Sequence, residues 1–107
     1  MKPTVHLVED AELDLTEIAR YIAERESMER ALSVLAEIES LCDSLEEFPS
    51  RGNYPPELRK MGITHFREIR FKPYRIIYEI IDEKVFVHCI LDGRRDMQSL
   101  LRRRLLR

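Results

Sequence analysis

The chain has 107 residues and a mass of 12.8 kDa, which fits one domain over residues 1–107 and excludes a second full core. Its apolar content of 44% is ordinary for a globular protein, and no run of about 18 apolar residues predicts a membrane span. The net charge of −2 hides an asymmetry, because residues 1–50 carry 13 acidic and 4 basic side chains while residues 51–107 carry 7 and 14. The basic half predicts a surface for an anionic or acidic partner, unless the two halves simply pair with each other.

The first half of the chain predicts a strand followed by two helices. Residues 4–8 are rich in β-branched side chains, which is typical of a strand, and Asp10 is the expected N-cap of a helix. Apolar side chains then recur on one helical face, at Leu15, Ile18, Ala19 and Ile22. Ser27 is a second N-cap candidate, before a longer helix over residues 28–47. Because the connection is short, we expect the two helices to pack antiparallel.

A loop and three short strands follow. Prolines and glycines concentrate in residues 49–64, which predicts the main loop. The strands are predicted at residues 66–72, 74–81 and 85–91, with a turn or bulge at Pro73, which has no backbone N–H to donate. The last of these strands is apolar at both odd and even positions, which indicates a central strand buried on both faces.

The chain ends in a predicted helical tail. From Asp96 onward, apolar side chains recur at helical spacing, and arginines close the segment, where cations also complement the helix dipole. Two helices grouped before three strands predict an α+β fold. In this fold the N-terminal strand and an antiparallel helical hairpin pack on a mostly antiparallel sheet, and the tail follows.

Several site chemistries are excluded by residue content. Cys42 and Cys89 form no motif and lie in apolar segments, so we expect core thiols in a reducing cytoplasm rather than a disulfide. Three glycines are too few for a glycine-rich phosphate loop, and no second pair of ligands accompanies His88 and Cys89. We therefore expect neither a metal nor a cofactor. The opening residues lack the apolar stretch of a secretory signal, which favours a cytoplasmic protein.

Six short motifs occur in order along the chain: Asp14-Leu15-x-x-Ile18-x-x-Tyr21-Ile22, the helix over 38–45, Pro49-x-Arg51-Gly52, Phe66-Arg67-Glu68, Tyr74-Arg75-Ile76-Ile77-Tyr78 and Ile90-Leu91-Asp92-Gly93-Arg94-Arg95-Asp96. With the element order, they resemble the RelE/ParE superfamily of bacterial type II toxins. The resemblance implies a small α+β toxin fold and a cognate antitoxin, with which the chain would form a hetero-oligomer. It leaves the target open, because RelE-like members cleave mRNA on the ribosome and ParE-like members poison DNA gyrase.

The resemblance to RelE-like enzymes extends to only part of their active site. Those enzymes supply lysines after the main loop, an arginine in the Tyr-Arg strand, another after the last strand's glycine, and a tyrosine a few residues later. Arg75 and Arg95 match the two arginines and would be the catalytic residues of a metal-independent ribonuclease. Arg67 and Ile69 stand where lysines are expected, an arginine is a poor base, and leucines replace the tyrosine. The incomplete set favours a ParE-like protein without nuclease chemistry. An alternative role for Arg75 is a structural pair with Glu68 or Glu79.

Inhibition of gyrase needs a binding surface rather than a reaction centre. Residues 92–107 offer arginines and an amphipathic leucine strip, although the leucines could instead fold back onto the sheet. The predicted anion-binding or target-binding residues are Arg67, Arg75, Arg94, Arg95, Arg102, Arg103 and Arg104. We also expect an acidic antitoxin segment to fill an apolar groove along the helical hairpin and the sheet edge.

The leading prediction is therefore a ParE-like, plasmid-stabilisation toxin that inhibits DNA gyrase and is neutralised by its antitoxin. The alternatives are a ribosome-dependent mRNA endoribonuclease and a degenerate member that only binds its antitoxin.

Overall fold

The computed structural model describes residues 2–106. Within that range the chain forms four strands and four helices, joined by turns and two short 3₁₀ segments. In chain order they are β1 (Thr4–Leu7), α1 (Glu9–Arg25), α2 (Met28–Asp43), α3 (Pro56–Arg59), β2 (Phe66–Phe71), β3 (Tyr74–Ile81), β4 (Lys84–Asp92) and α4 (Met97–Leu105). None of the described helices combines the length and the apolar character that a membrane span needs.

The ends of the helices agree only in part with the sequence predictions. Ser27 is the N-cap of α2 and accepts a hydrogen bond from the Arg30 N–H at 3.0 Å, as predicted. The prediction for Asp10 was wrong, because α1 already begins at Glu9 and its N-cap, Val8, has no capping side chain. Asp10 instead lies in an acidic first turn, which complements the helix dipole.

The predicted long loop contains one more helix. The first residue of α3, Pro56, occupies a position where a proline costs no hydrogen bond, and its ring presets the helical backbone angle. The preceding helix, α2, ends at Asp43 rather than at residue 47, and a 3₁₀ turn over Ser44–Glu46 continues it.

The sheet has the order β1-β4-β3-β2, which confirms the mostly antiparallel prediction. Strands β2, β3 and β4 form an antiparallel meander, and β1 adds to the far edge parallel to β4. The pairing of β1 with β4 reaches only as far as Leu7 and Val87, so β4 continues past this point without a strand neighbour on that side. Pro73 lies in the turn between β2 and β3, as expected.

A β-bulge explains why β4 is apolar at both odd and even positions. Ile77 pairs with Cys89 and Tyr78 pairs with Val87, so His88 is an extra residue in the ladder. The extra residue moves the side chains that follow it to the opposite face of the sheet. Val87 consequently packs with the helical hairpin, whereas Cys89 packs under α4.

Two hydrophobic cores lie on the two faces of the sheet. The larger core packs α1 and α2 against one face, and its fully buried centre includes Ile38, Leu45 and Tyr78. The smaller core packs α3 and α4 against the other face, where Leu58 and Leu101 are buried. Cys42 lies in the larger core and Cys89 in the smaller one, and both are buried thiols outside any disulfide. The prediction of core thiols is therefore confirmed.

Gly52 fixes the main loop to the sheet. Its N–H donates to the Tyr78 hydroxyl at 3.0 Å, and that hydroxyl donates to the Pro49 carbonyl at 2.6 Å. A Cβ atom at Gly52 would lie 2.5 Å from the Tyr78 hydroxyl and 2.7 Å from the Glu68 carbonyl oxygen. Because only glycine allows such close approach, the Pro49-x-Arg51-Gly52 motif has a structural cause.

Candidate functional site

Arg75 lies near the start of β3, an interior strand of the sheet, and its guanidinium is paired with two carboxylates. Its Nε and Nη2 donate to Glu68 Oε1 on β2, at 2.9 and 2.5 Å. Its Nη1 and Nη2 donate to Glu57 Oε2 and Oε1 on α3, at 2.8 and 2.7 Å. Hydrogen bonding to Glu57 raises the pKa of Arg75 further, and the same bond holds the pKa of Glu57 below its usual range. The structure thus contains the alternative pairing with Glu68. The prediction that Arg75 binds an anion stays a prediction, and phosphate binding there would require displacing a carboxylate.

The Arg67 side chain also bonds to groups of the protein itself, in the main loop. Its guanidinium donates to the carbonyl oxygens of Ser50 and Gly52, at 3.1 and 2.9 Å. It also lies over the Tyr54 ring, 4.8 Å from the centroid, which is a cation–π contact. Arg67 therefore ties β2 to the main loop in this conformation, and the prediction that it contacts a target stays a prediction.

Arg104 joins three elements through Asp14. Its Nη1 and Nη2 donate to the two carboxylate oxygens of Asp14 at 3.0 and 2.9 Å, and Nη2 also donates to the His88 carbonyl at 3.0 Å. Asp14 in turn accepts from the Ile90 N–H at 2.9 Å. Asp14 and Arg104 thus bond to the part of β4 that extends beyond its pairing with β1. The hydrogen bonds to Asp14 also raise the pKa of Arg104. Arg104 thus fastens α4 to α1 and β4.

The remaining predicted arginines, Arg94, Arg95, Arg102 and Arg103, are exposed. The Arg94 guanidinium bonds to Asp92 through Nε and Nη2, at 3.0 and 2.7 Å, but its side chain keeps 75% of its surface open to solvent. Among the described residues, the side chains of Arg95, Arg102 and Arg103 make no hydrogen bond or ion pair. These four residues, which we call the exposed arginine set, are the ones available to a partner.

An apolar groove runs between α1 and the sheet. Its volume is about 350 Å³, and Ile18, Tyr21 and Ile90 are among its apolar and aromatic lining. Arg95 lies on its edge, which is otherwise acidic, and lines a neighbouring cavity of about 290 Å³ as well. Tyr21 is 58% exposed although it is large and aromatic, so this groove offers apolar surface to a partner.

A second, basic pocket lies at the turn between β2 and β3. It has a volume of about 240 Å³, and its charged lining consists of Arg70, Lys72, Arg75 and Arg94. Its wall is held by a 2.7 Å hydrogen bond from the Gly93 N–H to the Pro73 carbonyl. A Cβ at position 93 would lie 2.8 Å from Arg75 Cδ, which gives the glycine in the Asp92-Gly93 motif a packing role.

The three histidines lie outside these pockets. His88 bonds to Glu79 at 3.0 Å, His6 stacks on Phe86, and His65 lies against Phe66. The described residues contain no group of three or more histidine, cysteine or acidic side chains placed to hold a metal ion. Among the described residues, no histidine lines the basic pocket, so no imidazole is placed there to act as a general base.

Sequence reasoning missed Asp14 and Glu57 as partners of the arginines. Asp14 carried a signal, because it falls on the apolar face of α1, between Ala11 and Ile18, where a carboxylate needs a buried partner. Glu57 carried none, since a glutamate in a proline-rich loop is ordinarily solvated.

Comparison with known proteins gives consistent results for sequence and structure. Residues 5–97 match the family described as ParE toxin of type II toxin-antitoxin system, parDE. Toxin ParE3 of Caulobacter vibrioides is 31% identical over 88 residues, which cover 82% of this chain and 84% of that protein.

Three solved structures share the fold. The chromosomal ParDE toxin–antitoxin system from P. aeruginosa superposes with a TM-score of 0.70 at 15% identity, covering 83% of this chain and 94% of the other. The RelBE2 complex from Mycobacterium tuberculosis gives 0.61 at 20% identity, covering 84% and 96%. A mutant of E. coli toxin RelE in the free state gives 0.63 at 17% identity, covering 94% and 93%.

Proposed function

Because the chain belongs to the ParE family of toxins from type II toxin–antitoxin systems, we propose that it inhibits DNA gyrase by binding it in the cytoplasm, and that a cognate antitoxin neutralises it. The observation that carries this proposal is the division of the arginines. Arg75, on the interior strand β3, is occupied by Glu57 and Glu68, whereas the exposed arginine set faces solvent.

Neither Arg75 nor its partner Glu57 is suited to act as the general base of a reaction centre. Ribose 2′-hydroxyl attack needs a base near the phosphate, but arginine stays protonated and Glu57 is held ionised by its hydrogen bonds to Arg75. A carboxylate with a lowered pKa accepts a proton poorly at neutral pH. This arrangement favours a binding protein over a nuclease.

The tail offers the kind of surface that gyrase inhibition requires. Helix α4 buries Met97, Leu100 and Leu101 against the sheet, as the sequence allowed, and turns Arg102 and Arg103 outward. Exposed arginines are common anchors at protein interfaces because they combine charge, planar hydrogen bonding and apolar surface. We assign Arg95, Arg102 and Arg103 as the residues that contact the target.

The groove along α1 is the proposed site of the antitoxin. It combines apolar lining with Arg95, and two of its three carboxylates, Asp14 and Asp92, are already paired with Arg104 and Arg94. Arg95 is therefore left to receive an acidic side chain of an amphipathic segment. Two of the similar structures are a ParDE system and a RelBE2 toxin–antitoxin complex, which supports a partner of this class. We expect the chain and its antitoxin to form a hetero-oligomer, and the pair to serve as a plasmid-stabilisation system.

Two parallel assays test the target. The purified chain is added to a gyrase supercoiling reaction and to translating ribosomes with labelled mRNA. We expect blocked supercoiling and intact mRNA, with at least tenfold weaker inhibition by the R102Q/R103Q variant. The matched control, R20Q/R59Q, removes two exposed arginines elsewhere and should inhibit like the wild type.

Either of two results would overturn the proposal. If the wild type cleaves the mRNA and the R75A and R95A variants do not, the ribonuclease alternative is established. Inactivity in both assays, with antitoxin binding retained, would establish a degenerate member.

A further inference from the structure

The two edges of the sheet differ in how their outer backbone groups are used. On the β2 edge, Asn53 forms a short antiparallel bridge with Glu68, and the two residues exchange backbone hydrogen bonds of 3.1 and 2.7 Å. The outer edge of β1 has no such cover. Within residues 2–106, no loop and no side chain donates to or accepts from the backbone of Val5 or Leu7. An unpaired edge of this kind is a template for a further strand.

The direction of the β1 backbone groups follows from the pairing of this strand with β4. The N–H groups of Thr4 and Val8 both donate toward β4, at 3.1 and 3.0 Å. Because successive residues of a strand direct their backbone groups to opposite sides, His6 also faces β4, whereas Val5 and Leu7 face outward. Each copy of the chain therefore presents two N–H and two C=O groups along the outer edge of β1.

Strand β1 lacks the side chains that usually keep sheet edges apart. Its four residues include no lysine, no acidic side chain and no proline. Val5 and Leu7 are partly buried and pack on the core under the helical hairpin, while Thr4 and His6 are exposed on the other face. Only the shortness of β1 limits pairing with an incoming strand, so we expect such pairing to be weak rather than blocked.

The β1 edge is complementary to itself in one antiparallel register. If Val5 of each copy pairs with Leu7 of the other, every outward N–H and C=O group is satisfied, in four hydrogen bonds. The two-fold axis then passes between the two His6 residues, which lie directly opposite each other. The reversed direction also brings Lys2, which is 66% exposed, toward the acidic first turn of α1 in the other copy. This arrangement adds charge complementarity to the hydrogen bonds.

We propose that the outer edge of β1 is a homodimer interface, in which the β1 strands of two copies pair antiparallel and join two four-stranded sheets into one continuous sheet. The partner that fits this edge is a second copy of the chain. Because a short strand edge buries little surface, the dimer is transient and forms at micromolar concentrations. The interface is separate from α4 and from the groove along α1, so it does not depend on gyrase or on the antitoxin.

Sedimentation velocity over concentrations from about 5 to 500 μM tests the association. The wild type should shift from monomer toward dimer across this range. V5P should raise the dissociation constant at least tenfold, because proline removes an outward N–H in each copy and leaves the bonds from β1 to β4 in place. The matched control, V5A, keeps that N–H and should dimerise like the wild type. Thermal unfolding of both variants confirms that each one is folded.

A cysteine at position 6 tests the register. In a C42S/C89S background, two H6C chains should join through a disulfide when oxidised glutathione accepts the electrons of their thiols. Residues directly opposite each other in a non-hydrogen-bonded pair have Cα atoms close enough for this bond. The matched control is K84C, since Lys84 is exposed on β4, one strand further from the two-fold axis, and should form no crosslink.

Four outcomes would overturn the inference. They are a wild type that stays monomeric throughout the concentration range, a V5P variant that dimerises as tightly as V5A, and crosslinking of K84C as fast as that of H6C. The fourth is a chain that is monomeric alone but binds an antitoxin less tightly as V5P than as V5A, which would assign the edge to the antitoxin. Supercoiling assays on the same variants report separately on gyrase.

Discussion

At the scale of single residues, burial decides which charges remain available. Arg67, Arg75 and Arg104 each donate to partners inside the protein, while Arg95, Arg102 and Arg103 lie on the surface. A buried guanidinium without a partner would be very costly, and helices α1 and α3, the main loop and the sheet supply carboxylates and carbonyl oxygens to these three. The sequence could show where arginines lie along the elements, but their internal partners depend on contacts between distant segments.

The Glu57–Arg75 pair predicts a specific acid sensitivity. Because Arg75 lowers the pKa of Glu57 in the folded state, the folded chain binds fewer protons than the unfolded chain near pH 4.5. The stabilisation is therefore complete above that pH and is lost as the pH falls through the folded-state value. Urea unfolding between pH 6 and pH 2.5 should show the wild type more stable than E57Q at the upper end, with the difference shrinking toward the lower end. A difference that stays constant with pH would contradict this assignment.

At the scale of elements, alternation and helical spacing predicted most of the structure. The hairpin of α1 and α2, the three antiparallel strands and the helical tail were all foreseen, because each has its own periodic pattern. The helix α3 and the bulge at His88 were not predicted. A single helical turn that begins at the second of two prolines is too short to show a period, and one extra residue in a strand does not show one either. Both missed features shape the site: α3 carries Glu57, and the bulge places Cys89 under α4.

The junction of α1, β4 and α4 predicts a large loss of stability when it is broken. D14N should lower the free energy of unfolding by about 3 kcal/mol, because Arg104 then keeps a mostly buried charge without its counterion. The measurement is urea unfolding at neutral pH. E17Q is the matched control, since Glu17 lies one turn further along α1 and is exposed. If D14N cost no more than E17Q, the junction would not hold α4 in place.

At the scale of the whole molecule, the charge asymmetry of the sequence persists in the folded protein. The ion pairs among the described residues mostly join groups within one half of the chain, and Arg104–Asp14 is the one that joins the two halves. The acidic helical hairpin and the basic end of the sheet therefore remain distinct surfaces. Such separation favours oriented, salt-sensitive association with a charged partner.

The two cores can be probed separately, because each contains one cysteine and a different helix or helix pair buries it. Cys42 is buried by the helical hairpin, and burial raises the pKa of its thiol to about 12, so it should not react with a disulfide reagent in the folded protein. Cys89 is covered by α4, which the Asp14–Arg104 pair fastens. In the native wild type both thiols should stay unmodified. In D14N the opening of α4 should speed the labelling of Cys89 at least tenfold and leave Cys42 protected.

Single-cysteine variants, C42S and C89S, assign each rate to one thiol, and mass spectrometry follows the labelling. Equal acceleration of both thiols would mean that D14N opens the whole molecule. The two faces of the sheet would then unfold as one unit, and α4 could not move as a separate part while the hairpin stays packed. Selective labelling of Cys89 would instead show that the tail opens alone, which would let its arginines change position against a partner without unfolding the rest of the chain.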